Sequence, residues 1–175
     1  MKSLILLRHA KAAPAGAGGD HHRPLEERGR EASALIGAHL KTLGVKPEIL
    51  LVSSALRTRE TCQIVAEAAG LVVPTFEDDL YLASSGVLLR RIRKTPPRAN
   101  SLMIIGHNPG LAELMVKLSD PAESDAEALG RARQRVPTAS CAVMNVLTPW
   151  SEIQDGDCGM TAFLTPKLLG GTDEE

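Results

Sequence analysis

Three short apolar runs, each leading into a charged or small-residue turn and then into a helical period, constrain this chain most. They are Leu4-Ile5-Leu6-Leu7, Ile49-Leu50-Leu51-Val52 and Leu102-Met103-Ile104-Ile105. Ser3–Leu7, Ile49–Val52 and Ser101–Ile105 therefore read as short buried strands. The period that follows the first starts at Leu25 and puts Ala32, Leu35, Ile36, His39/Leu40 and Leu43 on one face, with Gly44 as its stop. After the second strand, Ser53 or Ser54 is placed to cap a helix with Thr61, Ile64, Val65 and Ala68 inward and Gly70 at its end. After the third, Leu111, Leu114, Met115 and Leu118 share a helix face. Strands that alternate with helices of this length predict an α/β fold, a three-layer sandwich whose mostly parallel sheet is flanked by helices.

The rest of the chain is weaker in pattern. Residues 10–24 are rich in Ala, Gly and Pro and read as a loop. Leu71–Phe76 carries Pro74 and suits an edge strand, and Val87–Lys94 suits a short helix. Residues 119–137 read as a long connection with a short helix, and Ser140–Leu147 and Met160–Leu164 as two final strands. No repeat or linker divides the chain, so residues 1–170 are expected to form one domain with a frayed tail at 171–175.

Composition excludes some classes of function. Twenty Lys+Arg stand against twenty-one Asp+Glu, a net charge of −1, and aromatics are only 2% of 175 residues. That balance argues against nucleic-acid or anionic-membrane binding, and the few aromatics argue against base stacking. The N-terminal apolar run stops after four residues at Arg8-His9, too short for a secretory signal. Cys62, Cys141 and Cys158 show no CxxC spacing and suit a reducing compartment. A cytoplasmic protein, with no oligomer implied, is the expectation.

In parallel α/β sheets, ligands bind beyond the carboxyl ends of the strands. Here those ends carry Arg8-His9-Ala10, Ser53-Ser54-Ala55-Leu56-Arg57 and Gly106-His107-Asn108-Pro109-Gly110. Each piece alone is commonplace: a surface Arg-His pair, a solvated helix arginine, a half-buried histidine. Together they bring two arginines and two histidines to helix N-termini that already favour an anion. Guanidinium forks suit a tetrahedral oxyanion. A neutral imidazole can attack phosphorus if its other nitrogen is held as a donor, usually to a carbonyl. No GxxxxGK[ST] motif is present, and Asp20 with His21-His22 lacks zinc-site spacing, so no metal or cofactor is called for. The basic runs Arg90–Lys94 and Arg131–Arg135 read as exposed helix faces.

Taken in order, these residues resemble the histidine phosphatase superfamily, and within it the small bacterial phosphohistidine phosphatases of the SixA type. The resemblance rests on Leu7-Arg8-His9-Ala10-Lys11-Ala12 and on Asp20 with Arg23-Pro24-Leu25 and Arg28-Gly29. It continues through Ser53-Ser54-Ala55-Leu56-Arg57-Thr58, Glu60-Thr61, Ile104–Gly110, Pro137–Ser140 and Thr165-Pro166-Lys167. It implies a phosphoglycerate-mutase-like fold and a phosphohistidine-bearing protein as substrate. By the same resemblance His9 is the residue phosphorylated, Arg8, Arg57 and His107 clasp the phosphoryl group, and Asp20 and Arg23 lie beside the pocket.

The chain departs from the wider superfamily at two points. Ala10-Lys11 stands where mutases and many phosphomonoesterases carry Gly-Glu, and Tyr81 falls nearest the position of their proton-donating acid. Glu77, Asp78 and Asp79 are expected to form a solvated acidic turn. A small-molecule phosphomonoesterase of the same superfamily and a non-catalytic phosphoprotein-binding module are the competing readings.

Overall fold

The apolar runs become the inner strands of a six-stranded sheet. The structure, a computed structural model, describes residues 1–173. In chain order the strands are β1 (Lys2–Arg8), β2 (Ile49–Ser53), β3 (Thr75–Glu77), β4 (Ser101–Gly106), β5 (Cys141–Val146) and β6 (Cys158–Leu164). The helices are α1 (Glu27–Thr42), α2 (Leu56–Ala69), α3 (Ser85–Arg93), α4 (Gly110–Leu118) and α5 (Ala126–Gln134).

Strand order is β3-β2-β4-β1-β5-β6. The first four run parallel, and β5 is antiparallel to both β1 and β6. Alternate residues of one strand serve opposite faces. Leu4 and Leu6 join the core beneath α3, α4 and α5, whereas Ile5 and Leu7 join the core beneath α1 and α2. This is the expected α/β sandwich, and it explains why the runs are apolar throughout: both faces of each inner strand are covered. No helix among the described residues is long and apolar enough to cross a membrane.

Several local expectations shift. Leu43 is 49% exposed, because α1 turns Gly29, Ser33, Ile36, Gly37 and Leu40 inward instead. Gly29 and Gly37 are on that face because backbone and side chains come too close for a larger residue. A Cβ on Gly29 would lie 2.2 Å from the Lys11 carbonyl oxygen, and one on Gly37 2.7 Å from Ala68 Cβ. Neither Ser53 nor Ser54 caps α2, whose N-cap is Ala55 without a side-chain bond. Edge strand β3 begins only at Thr75, and α3 begins at Ser85, where the Ser84 hydroxyl accepts from the Val87 amide.

Arg91 and Arg93 are not free surface charges. Arg91 grips Glu77 with two bonds of 2.8 and 2.9 Å, and Arg93 Nε donates to the Ile153 carbonyl. Glu77 is thus tied down, not solvated. At the tail, Gly171 N donates to Pro166 O and Asp173 accepts from Lys167 N, so residues up to Asp173 fold back. The remainder of the expected frayed tail, 174–175, lies outside the described residues.

Candidate active site

The parallel register sets the site. β1 and β4 pair Arg8 with Gly106, and the His9 amide donates to the Gly106 carbonyl, so His9 and His107 emerge side by side. Their ring centroids are 5.3 Å apart. Both are buried, at 8% and 3% exposure. Arg57, in the first turn of α2, is 2% exposed. Arg8 closes the group from β1, its Nη1 donating to the Val136 carbonyl.

His9 Nδ1 lies 2.7 Å from the Ala10 carbonyl oxygen. A carbonyl can only accept, so Nδ1 carries the proton and Nε2 keeps its lone pair. Burial, reinforced by the charges of Arg57 and Arg8, lowers the His9 pKa to about 3 against the pull of the Ala10 bond. The His107 pKa is likewise lowered to about 3, first by burial and then by Arg57. Both rings are therefore neutral at pH 7. His107 Nε2 is 2.8 Å from Ser53 Oγ, and its Nδ1 is buried with no hydrogen-bond partner among the described residues.

The Asp20 loop reaches across the arginines. Arg57 Nη1 donates to the Asp20 carbonyl at 2.8 Å and Nη2 to its carboxylate at 3.1 Å. Arg23 Nη1 donates to the other carboxylate oxygen at 3.1 Å, while Arg23 Nε is anchored on the Ala13 carbonyl. The Tyr81 hydroxyl donates to Asp20 Oδ2. That bond, more than the two arginines, holds the Asp20 carboxyl well below the usual carboxylate range, and the same bond raises the Tyr81 pKa. The Asp20 side chain remains 43% exposed, at the rim of the group.

All six residues singled out in the sequence thus lie in one cluster. Four further residues, none of them assigned these contacts from the sequence, complete the cluster. Thr61 accepts from the Ala10 amide and donates to the Arg57 carbonyl, tying the histidine turn to the arginine turn. Ser53 supports His107. His21 bonds to Ser54 Oγ and packs its ring 4.8 Å from Tyr81, so it is not a merely solvated loop residue. Tyr81 itself packs 5.6 Å from the His107 ring. The sequence signal for Tyr81 is its place nearest the proton-donating acid of the wider superfamily. A groove of about 530 Å³ runs along α2, lined in part by Leu56, Arg59, Cys62 and Phe76, and neither histidine lines it. No group of three or more His, Cys, Asp or Glu among the described residues could hold a metal ion.

The sequence profile of the histidine phosphatase superfamily (branch 1) matches residues 4–86, which hold Arg8, His9, Asp20, Arg23 and Arg57. The chain belongs to the histidine phosphatase superfamily. Among solved structures, this superfamily member is similar to an Agrobacterium tumefaciens protein provisionally assigned as the phosphohistidine phosphatase SixA. The two share 29% identity and a TM-score of 0.77, over 94% of this chain and 98% of that one. The fold is also that of the protein histidine phosphatase SixA solved with tungstate, at 24% identity and TM-score 0.77, over 95% and 99% of the two chains. An uncharacterized Mycobacterium tuberculosis protein is 28% identical over 162 residues, 92% of this chain and its own full length. The mostly parallel sandwich is accordingly the phosphoglycerate-mutase-like fold of this superfamily.

Proposed function

We propose that the protein is a phosphatase that hydrolyses phosphohistidine on proteins, through a covalent intermediate on His9. The observation that carries this reading is the proton inventory of the site. His9 offers a lone pair on Nε2, and the Asp20 carboxyl is held ionised. Glu77 is gripped by Arg91. Among the described residues of the site, neither Asp20 nor Glu77 is free to protonate a departing alkoxide.

In the first step His9 Nε2 attacks phosphorus and the bond from phosphorus to the substrate's ring nitrogen breaks. That nitrogen keeps the electron pair and leaves as neutral imidazole, its ring having been protonated on its other nitrogen beforehand. Arg8, Arg57 and His107 stabilise the transferring phosphoryl group, whose oxygens carry the charge. Water then attacks the phosphorylated His9, releasing phosphate and returning the neutral ring.

An imidazole with an ordinary pKa near ~6.5 leaves far more readily than an alkoxide, which usually needs acid help worth about 10²–10⁴-fold. Asp20 at an open rim suits a phosphoryl group borne on a protein surface. Arginines supply the positive charge, so the reaction is proposed to need no metal. Free, buried Cys62, Cys141 and Cys158 suit a reducing compartment such as the cytoplasm.

The test is kcat/KM for a phosphohistidine protein, an aryl phosphate and a phosphoserine peptide with one preparation, repeated with chelator. The expected order is phosphohistidine, then aryl phosphate, then phosphoserine, unchanged by chelator. Equal rates on phosphoserine and phosphohistidine would turn the reading to a general phosphomonoesterase, and binding without turnover would turn it to a phosphoprotein-binding module. A selective loss of ester hydrolysis in Asp20→Asn or Asp79→Asn would expose a general acid.

A further inference from the structure

We propose that Ser53 is a positioning residue that holds His107 in the tautomer with its proton on Nδ1, so that this ring meets the phosphoryl group as a hydrogen-bond donor while uncharged. The role for His107 rests on the function proposed above; the tautomer itself does not.

Ser53 is the last residue of β2 and is fully buried. Its oxygen accepts from the Ala55 amide at 3.4 Å and lies 2.8 Å from His107 Nε2. The hydroxyl has one proton to donate. Among the described residues only His107 Nε2 is within reach to take it, and a buried hydroxyl proton without an acceptor is costly. Nε2 must then present its lone pair to Ser53.

A neutral imidazole carries a single N–H, so the proton sits on Nδ1. Burial and the nearby Arg57 charge keep the ring neutral at physiological pH. Nδ1 is the very atom that is buried and unpartnered among the described residues, in a ring that packs against both His9 and Tyr81. The opposite polarity, Nε2–H donating to Ser53, would strand the serine proton and turn a lone pair toward an anionic oxygen.

Both partners are braced. Thr58 Oγ1 donates to the Ser53 carbonyl, Ser53 is in ladder register with Glu77, and the His107 carbonyl accepts the Leu111 amide in the first turn of α4. Ser53 is free for this contact because Ala55, not a serine, occupies the N-cap of α2.

The experiment is long-range ¹H–¹⁵N NMR on protein labelled at its five histidines, with His107 assigned from the spectrum of His107→Gln. At pH 7 the expected His107 pattern is a pyrrole-type Nδ1 and a pyridine-type Nε2, with the Nδ1–H resonance moving on addition of vanadate. Ser53→Ala should lose that pattern and lower kcat by about 10–100-fold, somewhat less than loss of a whole oxyanion donor. Ser53→Thr, which keeps the hydroxyl, should restore both. A pyrrole-type Nε2 in the parent protein, or an unchanged His107 pattern in Ser53→Ala, overturns the proposal. Should Ser53→Ala not fold, the parent spectrum and that of Ser53→Cys, a weaker donor, decide it. A parent protein that shows the predicted tautomer but neither turnover nor a vanadate response would overturn the function and leave the tautomer standing.

Discussion

The ends of β1 and β4 are neighbours in one parallel ladder, and each delivers a buried histidine whose pKa falls to about 3. Burial is the leading cause in both. The two ends differ in what stands behind the ring. His9 has a backbone carbonyl on Nδ1, which forces a free lone pair onto Nε2. His107 has a hydroxyl on Nε2, which leaves Nδ1 as the unpartnered nitrogen. Burial thus makes both imidazoles neutral; one hydrogen bond leaves His9 with a free lone pair on Nε2, and on the proposal above another leaves His107 with an Nδ1–H for hydrogen bonding.

The largest expected effect breaks that comparison if the assignment is reversed. His9→Ala removes the only proposed nucleophile and should abolish both turnover and phosphoryl labelling of the protein. His107→Ala removes a stabilising donor, so turnover should fall by about 10²–10³-fold while slow labelling of His9 persists. Rapid-quench labelling with a phosphohistidine or aryl phosphate donor distinguishes the two. Labelling retained in His9→Ala would place the nucleophile elsewhere.

Arg57 sharpens the comparison, because its charge lowers the pKa of both rings. Arg57→Ala should cost about 10²–10³-fold in kcat/KM, and Arg57→Lys should recover little of it, since an ammonium cannot bridge two oxygens as a planar fork does. The Asp20 contact adds a second consequence. Asp20 holds the Arg57 terminal nitrogens, and Arg23 and Tyr81 hold Asp20. Arg23→Ala should therefore have a smaller effect, about 10-fold, felt through Asp20. A loss on Arg23→Ala as large as that on Arg57→Ala would give Arg23 a direct hold on the phosphoryl group.

Much of this arrangement was legible in the sequence, and the rest was hidden for a physical reason. Arg8, His9, Arg57 and His107 could be found because parallel sheets present their strand ends on one side, a rule that needs only the strand boundaries. Even the donor requirement on the nucleophile's second nitrogen follows from imidazole chemistry, and the Ala10 carbonyl meets it. Ser53, Thr61 and Tyr81 act through contacts that span 54, 51 and 61 residues of chain. Local rules misdirect there: a serine three residues before a helix reads as a cap, yet its hydroxyl turns across the sheet. Leu43 failed similarly, because close helix–loop and helix–helix approaches at Gly29 and Gly37 rotate α1 away from its bulkiest apolar stripe.

The smallest expected effect concerns pH and tests whether the two rings differ in function as they do in partners. Protonating His9 places a proton on Nε2 and destroys the nucleophile. Protonating His107 adds a proton at the Ser53 side and leaves Nδ1–H in place. The acid limb of kcat/KM should therefore report His9 and lie well below pH 6.5. In His107→Gln that limb should persist but move upward, because the charge on His107 is one of the causes that lower the His9 pKa. Stability follows from the same values. In the unfolded chain each histidine binds a proton near its ordinary 6.5, whereas in the fold it does so only near 3. Between those values the unfolded state holds more protons, so stability rises with pH across the window, is fully present above 6.5, and is lost as pH falls toward 3. Denaturant midpoints from pH 4 to 7 should show this slope, shallower in His107→Gln. A flat profile, or an acid limb near 6.5, would mean that neither ring is held neutral by burial, and the contrast between the two histidines would lose its physical basis.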